Sequence, residues 1–383
     1  MLDIYEIKKI ADNKLKEFKD KGFATQGNNG PYLEKDTPVR NTAHWLQVYS
    51  DLWIIFKETE YLEMVKMFSK YLLVENYGDS GAIKCFYENK NDCINGLIGQ
   101  AWAIEGLIKA ANILQEEKYY MKAKDIFLTQ LFDWDKGLWS IIDIDGTNFG
   151  FDIAYNHQLF FAVAGALILK VKYDEEIDNR ITCFLDKQNN YLRAHKNGLI
   201  VHFIKPQNGL KELIKFYLRI FLSNISHICG IKQLNNRYYY ENGYHMFSLY
   251  GFALLYDIKG KHSFFNSKKF KKILNYGLSE AYFAELLNPN PKDCMNKKIL
   301  HNSKFNEYAF LYNSPAFEYP LIIKKFSNKN KYEETLENFW KIEMDNYNED
   351  KKMFGVDSFD SETLTARLYE YTKYLSEDYY EEK

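Results

Sequence analysis

Apolar residues recur every three to four positions along most of this chain, the spacing of helices that bury one face. The pattern predicts helices over 1–21, 41–57, 60–75, 92–114, 117–131, 152–172, 175–190, 209–226, 239–257, 266–286, 306–326, 331–346 and 360–376. Segments such as LFDWDKGLWSIIDIDGTNFG, residues 131–150, read as short strands or turns at the barrel mouth. The helices are of two kinds. Some are apolar nearly all round and carry small residues: Gly96, Gly99, Ala101, Ala103 and Gly106 in one, Ala154, Ala162, Ala164, Gly165 and Ala166 in another. Such helices must be buried, and the small residues let neighbours approach closely. Others, such as KYYMKAKDIFLTQLF and KYEETLENFWKIEM, have a charged outer face.

Buried and amphipathic helices alternate. Inner helices are expected near 41, 92, 152, 241, 308 and 361, each followed by an outer one, with the N-terminal helix as outer partner of the last. Six pairs close a ring. The expected fold is all-α, an (α/α)6 barrel, with 1–383 as a single domain. The starts of the inner helices are too irregular for a plain solenoid. The longest gap points to a helical insertion at about 197–235, containing GLKELIKFYLRIFLSNI. That helix is basic on one side and strongly apolar on the other. It is read as an extra packing helix, with membrane-surface or partner binding as the alternative.

Composition narrows the partners. A formal net charge of −2 over 383 residues gives no strong electrostatic case for nucleic acid or for an anionic membrane. Aromatic residues make up 17%, which suits sugar faces without demonstrating a sugar site. The five cysteines, Cys85, Cys93, Cys183, Cys229 and Cys294, include no CxxC pair, as expected of free thiols in a reducing compartment. The N-terminus lacks the apolar segment of a secretion signal, and no run is long enough to span a membrane. A cytoplasmic protein is expected.

Three stretches carry the candidate chemistry. In Asn41-Thr-Ala-His-Trp45, Asp92-Cys-Ile-Asn-Gly-Leu-Ile-Gly-Gln-Ala-Trp102 and Asp152-Ile-Ala-Tyr-Asn-His-Gln158, polar residues open an apolar helix. Carboxylates at helix starts are often caps. Asp152, however, is followed within two turns by Asn156 and His157, a polar run that a purely packing helix would not need. Paired carboxylates serve glycoside chemistry, one donating a proton and the other positioning water. Asp152, Asp92 and His157 are therefore the catalytic candidates. Asn41, His44, Trp45, Gln100, Trp102, Asn156, Tyr244, His245, Tyr312 and Arg367 are the candidate substrate-binding residues. Each has a blander reading: buried histidines, core tryptophans, a salt-bridged arginine. HxxxH and HExxH spacings are absent, so no metal site is expected, and no cofactor. P-loop, dinucleotide and GxSxG motifs are also missing.

At Asp92–Trp102 and Asp152–Gln158 the chain resembles the unsaturated glucuronyl and rhamnogalacturonyl hydrolases. Those proteins are (α/α)6 barrels with two aspartates opening successive inner helices. NGLIGQAWAIEGLIKAA and YNHQLFFAVAGAL look closer to a branch found in surface-glycan and archaeal glycosylation gene clusters. The resemblance implies Asp152 as acid/base and Asp92 as its partner on a uronic-acid-containing saccharide. Tyr155-Asn156-His157 departs from the hydrolase pattern and partly resembles the Asn-Asn-His run of toroidal alginate-type lyases. The expected function is thus a glycan-processing enzyme of hydrolase-like chemistry. The alternatives are a polysaccharide lyase or uronate isomerase, and a non-catalytic glycan-binding protein of a polysaccharide assembly system. As general acid, Asp152 would have to be protonated near neutral pH.

Overall fold

The computed structural model describes residues 2–74, 77–88, 92–205, 210–229, 236–287, 305–327, 329–355, 358 and 360–381. The six inner helices are Val39–Phe56, Gly96–Leu114, Tyr155–Val171, Asn236–Lys259, Pro315–Phe326 and a last one broken into Ser361–Ala366 and Leu368–Glu381. Each packs on the next, and the last returns to the first, so the ring closes. Outside it lie Thr59–Val74, Glu117–Thr129, Glu175–Asp186, the pair Lys268–Gly277 and Glu280–Leu286, and Glu333–Asp345. The N-terminal helix Ile4–Lys21 packs on the last and first inner helices. The fold is an (α/α)6 barrel.

Periodicity explains the partition. The second and third inner helices are buried on nearly every face. The outer helix Glu175–Asp186 buries Ile177, Ile181, Phe184 and Leu185 at helical spacing, turns charge outward, and is capped by Asp174 accepting from the Ile177 amide. The 131–150 stretch forms a three-stranded antiparallel sheet of Phe132–Asp133, Leu138–Ile142 and Asn148–Phe151. The sheet leads straight into Asp152 and the third inner helix.

Several boundaries differ from expectation for identifiable reasons. The second inner helix begins at Gly96, because Asn95 (φ 57°) and Gly96 (φ 54°) are both left-handed. Asp92 is therefore in the preceding loop. The third begins at Tyr155 with Ala154 as its N-cap, so Asp152 precedes the cap. The helix expected over 306–326 breaks after Glu307–Phe310 and restarts with Pro315 in its first turn. The inserted helix is present as Leu210–Cys229 and leans on the fourth inner helix, whereas 206–209 and 230–235 lie outside the described residues.

Candidate functional site

A cavity of about 320 Å³ opens where the inner helices begin. Its wall includes Asn95, Ile98 and Trp102 of the second inner helix and its approach, Asn156 and His157 of the third, and Tyr240, Tyr244 and Phe247 of the fourth. Tyr312, Asn313 and Arg367 come from the fifth and sixth repeats. Two loops complete it: Asn29, Tyr32 and Glu34 ahead of the first inner helix, and His202 and Phe203 ahead of the inserted one.

Asp152 organises one wall. It is buried, and its Oδ2 accepts from the Leu97 amide at 3.0 Å and meets His157 Nδ1 at 2.8 Å. Its Oδ1 accepts from the Ala154 amide at 3.0 Å. The Leu97 amide belongs to the first turn of the second inner helix, so one carboxylate ties two inner helices together. Burial pushes the Asp152 carboxyl up. The His157 ring and the two amides outweigh burial and hold it below the usual range. Asp152 is thus ionised at neutral pH, which corrects the expectation of a protonated Asp152. The ring of His157, five residues on, is what holds it so.

The close approach depends on Gly96. A Cβ there would sit 2.4 Å from Asp152 Oδ2 and 2.9 Å from His157 Nδ1, on a backbone with φ of +54°. Asp92 lies beside the dyad but faces backbone. Its Oδ1 accepts from the amides of Ile94 at 3.1 Å and Gly96 at 2.8 Å. Burial, followed by the charges of Asp152 and Asp143, outweighs the Gly96 amide and raises its carboxyl. The two aspartates therefore bond successive amides, Gly96 and Leu97, and are pushed in opposite directions.

His202 forms the neighbouring wall. The His202 carbonyl accepts from the Tyr155 amide at 2.7 Å, and Phe203 bridges to Ala154, so this loop is stitched to the start of the third inner helix. The His202 amide donates to Glu241 Oε1 at 3.1 Å, and its ring Nε2 lies 2.9 Å from the Tyr240 hydroxyl. Tyr240 continues to Tyr32 at 3.2 Å, and Tyr32 to Tyr244 at 2.7 Å. Burial and then the charge of His157 depress His202 to about 3, so it is a neutral imidazole.

The remaining candidates divide. Trp102, Asn156, Tyr244, Tyr312 and Arg367 line the cavity with His157. The side-chain Oδ1 atoms of Asn156 and Asn313, and Nε1 of Trp102, are buried without a protein partner among the described residues. Arg367 is buried and donates from Nη2 to Glu318 at 2.6 Å and Glu370 at 2.8 Å, so it meets two of the protein's own carboxylates. Asn41, His44, Trp45, Gln100 and His245 are off the cavity wall. Asn41 donates to the Thr25 carbonyl, and Gln100 holds both the amide and carbonyl of Ile83. His44 stacks on Tyr369, Trp45 packs on Phe18, and His245 accepts from the Ile200 amide between Tyr276 and Tyr282.

Sequence reasoning missed His202, Tyr240, Tyr32 and Arg40. Arg40 is fully buried and stacks 4.1 Å from the Trp102 ring centroid, with Nη1 donating to Asn29 at 3.3 Å. Its signal was adjacency: it precedes Asn41 by one residue on an inner helix. His202 and Tyr32 lie in loops, where periodicity is silent.

No family model matches the chain. It is 31% identical over 366 residues to archaeal glycosylation protein Q of Haloferax volcanii, with 92% of each chain covered. Among solved structures it is similar to a sugar epimerase from a ruminal bacterium, with TM-score 0.60 and 11% identity over 96% of this chain and 98% of that one. It is also similar to cellobiose 2-epimerase from Bacillus thermoamylovorans, with TM-score 0.59 and 11% identity over 93% of both chains. At that identity the likeness is one of fold, the α/α barrel.

Proposed function

We propose, on the premise that this chain belongs to the family of archaeal glycosylation protein Q, that it isomerises or epimerises a saccharide in glycan assembly, moving a proton at a carbon next to a carbonyl. The observation that carries this reading is the pair of imidazoles on one cavity wall, one backed by a carboxylate and the other neutral and hydroxyl-bonded. Ionised Asp152 at Nδ1 fixes the tautomer and orientation of His157 and leaves Nε2 as the working nitrogen. His157 takes the proton and gives it back, while neutral His202, on its tyrosine chain, hydrogen-bonds the substrate oxygen as charge develops there. Trp102 offers an aromatic face, and Asn156 and Asn313 offer unpaired amide oxygens to sugar hydroxyls. The fold of the epimerases supports the same reading. Hydrolysis by a protonated Asp152 is less well supported, since that carboxyl is held ionised. A uronate is the substrate class to try first, as the resemblance implies; the lining guanidinium, Arg367, is itself held by Glu318 and Glu370.

The test is turnover in D₂O, followed by NMR and by absorbance near 235 nm. Deuterium entering the sugar at one carbon, with no change at 235 nm, is the expected result. A rise at 235 nm would identify a β-eliminating lyase, and a fall would identify the hydrolase, because one creates and the other consumes an unsaturated uronate. Saccharide binding without exchange in any candidate sugar would favour a non-catalytic glycan-binding protein.

A further inference from the structure

The inserted helix Leu210–Cys229 has two apolar faces where an ordinary packing helix has one. Phe216 is buried, and Leu213 and Ile220 are half-buried on the same side. The opposite side presents Ile214, Tyr217, Leu218, Phe221 and Leu222 to solvent, with Ile214 57% and Phe221 59% exposed. Their spacing of three, four, seven and eight residues makes one continuous stripe. Elsewhere among the described residues the large exposed apolar side chains are separated along the sequence, which needs no explanation.

Charge decides the occupant. Along one flank of the stripe Lys211 and Lys215 are exposed, four residues apart. Glu212 is the one acidic residue in 210–229, so the helix is net basic in a chain of formal net charge −2. A bulky apolar face edged by lysines is the design of a helix lying in a bilayer interface, with the stripe among acyl chains and the cations at anionic headgroups. Two copies of the helix packed stripe to stripe would bring basic flanks together and gain no counter-charge.

The helix is also coupled to the cavity. The Arg237 guanidinium lies 5.8 Å from the Phe216 ring and 5.4 Å from the Phe203 ring, and Phe203 lines the cavity beside His202. No described helix is long and apolar enough to cross a membrane, so attachment through this stripe would be peripheral. We propose that Leu210–Cys229 docks the protein on an anionic lipid surface, holding the His202–Phe203 side of the cavity towards it.

The experiment is flotation of the full chain with vesicles of phosphatidylcholine alone or with about one-third phosphatidylglycerol, read without reference to activity. The chain should float with the anionic vesicles and be released by high salt, as screening of basic residues requires. The exposed-face variant Leu218→Gln/Phe221→Gln should lower bound protein at least about tenfold, since each change removes apolar burial. Lys211→Glu/Lys215→Glu should remove the preference for anionic vesicles. Circular dichroism and melting temperature should match the parent in both. Absence of wild-type flotation, or flotation unchanged in both variants, would overturn the proposal. So would a wild-type dimer that fails to float and becomes monomeric on Leu218→Gln/Phe221→Gln, which would make the stripe a self-association surface.

Discussion

His157 stands on a buried carboxylate, whereas His202, its neighbour on the cavity wall, stands on a tyrosine hydroxyl. The first is braced through Asp152 to the amides that open two inner helices, so its position is part of the barrel frame. The second sits on a loop held by Glu241 and by backbone bonds to the third inner helix, and its ring is kept neutral by burial. The lesson is one of division of labour. A group that must accept charge gains from a fixed opposite charge behind it. A group that must stay neutral gains from an apolar surround and a weak hydrogen-bonding partner.

The largest effect that would break this comparison is on turnover. His157→Asn and His202→Asn should each lower kcat by about 10²–10⁴, the usual worth of general acid or base catalysis. Binding measured by calorimetry should change much less. The two losses should fall short of additive in the double variant if both rings serve one proton transfer. Full activity in either single variant would remove that ring from the mechanism. Asp152→Asn should follow His157→Asn in activity. It should also melt lower, by about 1–3 kcal/mol, because a charged acceptor of buried amides is lost.

Gly96→Ala probes the same wall through its backbone. The added methyl would have to occupy space now held by Asp152 Oδ2 and His157 Nδ1, at a left-handed φ. The change should destabilise by about 1–3 kcal/mol and disturb the dyad, so activity and melting temperature should fall together. Loss of stability with unchanged kcat would show that the dyad tolerates displacement. Ala→Gly changes on the outer helices should show no such coupling.

Acid separates the two walls. His202 in the folded protein is depressed to about 3, against about 6.5 when unfolded. The folded state therefore binds fewer protons, and its stability is present above about pH 6.5 and lost as pH falls towards 3. Buried His245, also depressed to about 3, acts in the same window. Asp152, held below the ordinary carboxylate range, keeps its contribution until pH drops past about 4. The unfolding free energy from denaturant titrations should fall between pH 7 and pH 4.5, by on the order of 2–3 kcal/mol for each of the two histidines. His202→Asn should roughly halve that slope, His245 keeping the rest, while Asp152→Asn should leave it steep. An unchanged slope in His202→Asn would mean that the ring is not buried and neutral in solution.

The barrel was legible because its cause is local. All-round apolar helices rich in glycine and alanine alternate with amphipathic ones, and that alternation is written in windows of a few turns. The helix starts were less so, because Asn95-Gly96 and Leu311–Ser314 are backbone events that periodicity does not register. At the site, Asp152 and His157 lie five residues apart in one motif and could be read together. His202 and Tyr240 share no motif and are joined by 38 positions of chain that carry the inserted helix. Arg40 shows the same limit from the other side: a single residue before Asn41, it reaches the Trp102 ring only because the first and second inner helices pack together. Helical spacing also made Asn41, His44, Trp45 and Gln100 candidates, since it cannot tell a polar group aimed at the cavity from one that secures a neighbouring loop.

The smallest expected effect is at Asp92, and it sharpens the comparison most directly. Asp92 and Asp152 look equivalent in sequence, as aspartates four and three residues ahead of two inner helices. In the fold they differ in what their oxygens touch. Asp152 meets a ring that faces the cavity, and Asp92 Oδ1 closes a turn on Ile94 and Gly96. A turn needs an acceptor rather than a charge, and the burial that raises the Asp92 carboxyl already disfavours its charge. Asn keeps the acceptor. Asp92→Asn should therefore change stability by no more than about 0.5 kcal/mol, as for a substitution that leaves its hydrogen bonds in place. It should lower kcat only a few-fold, about the effect of removing one screened like charge beside Asp152. Measured beside Asp152→Asn, a tenfold or greater difference between the two rate losses is the expected outcome. Equal losses would restore Asp92 as a chemical partner and return the paired-carboxylate mechanism to first place.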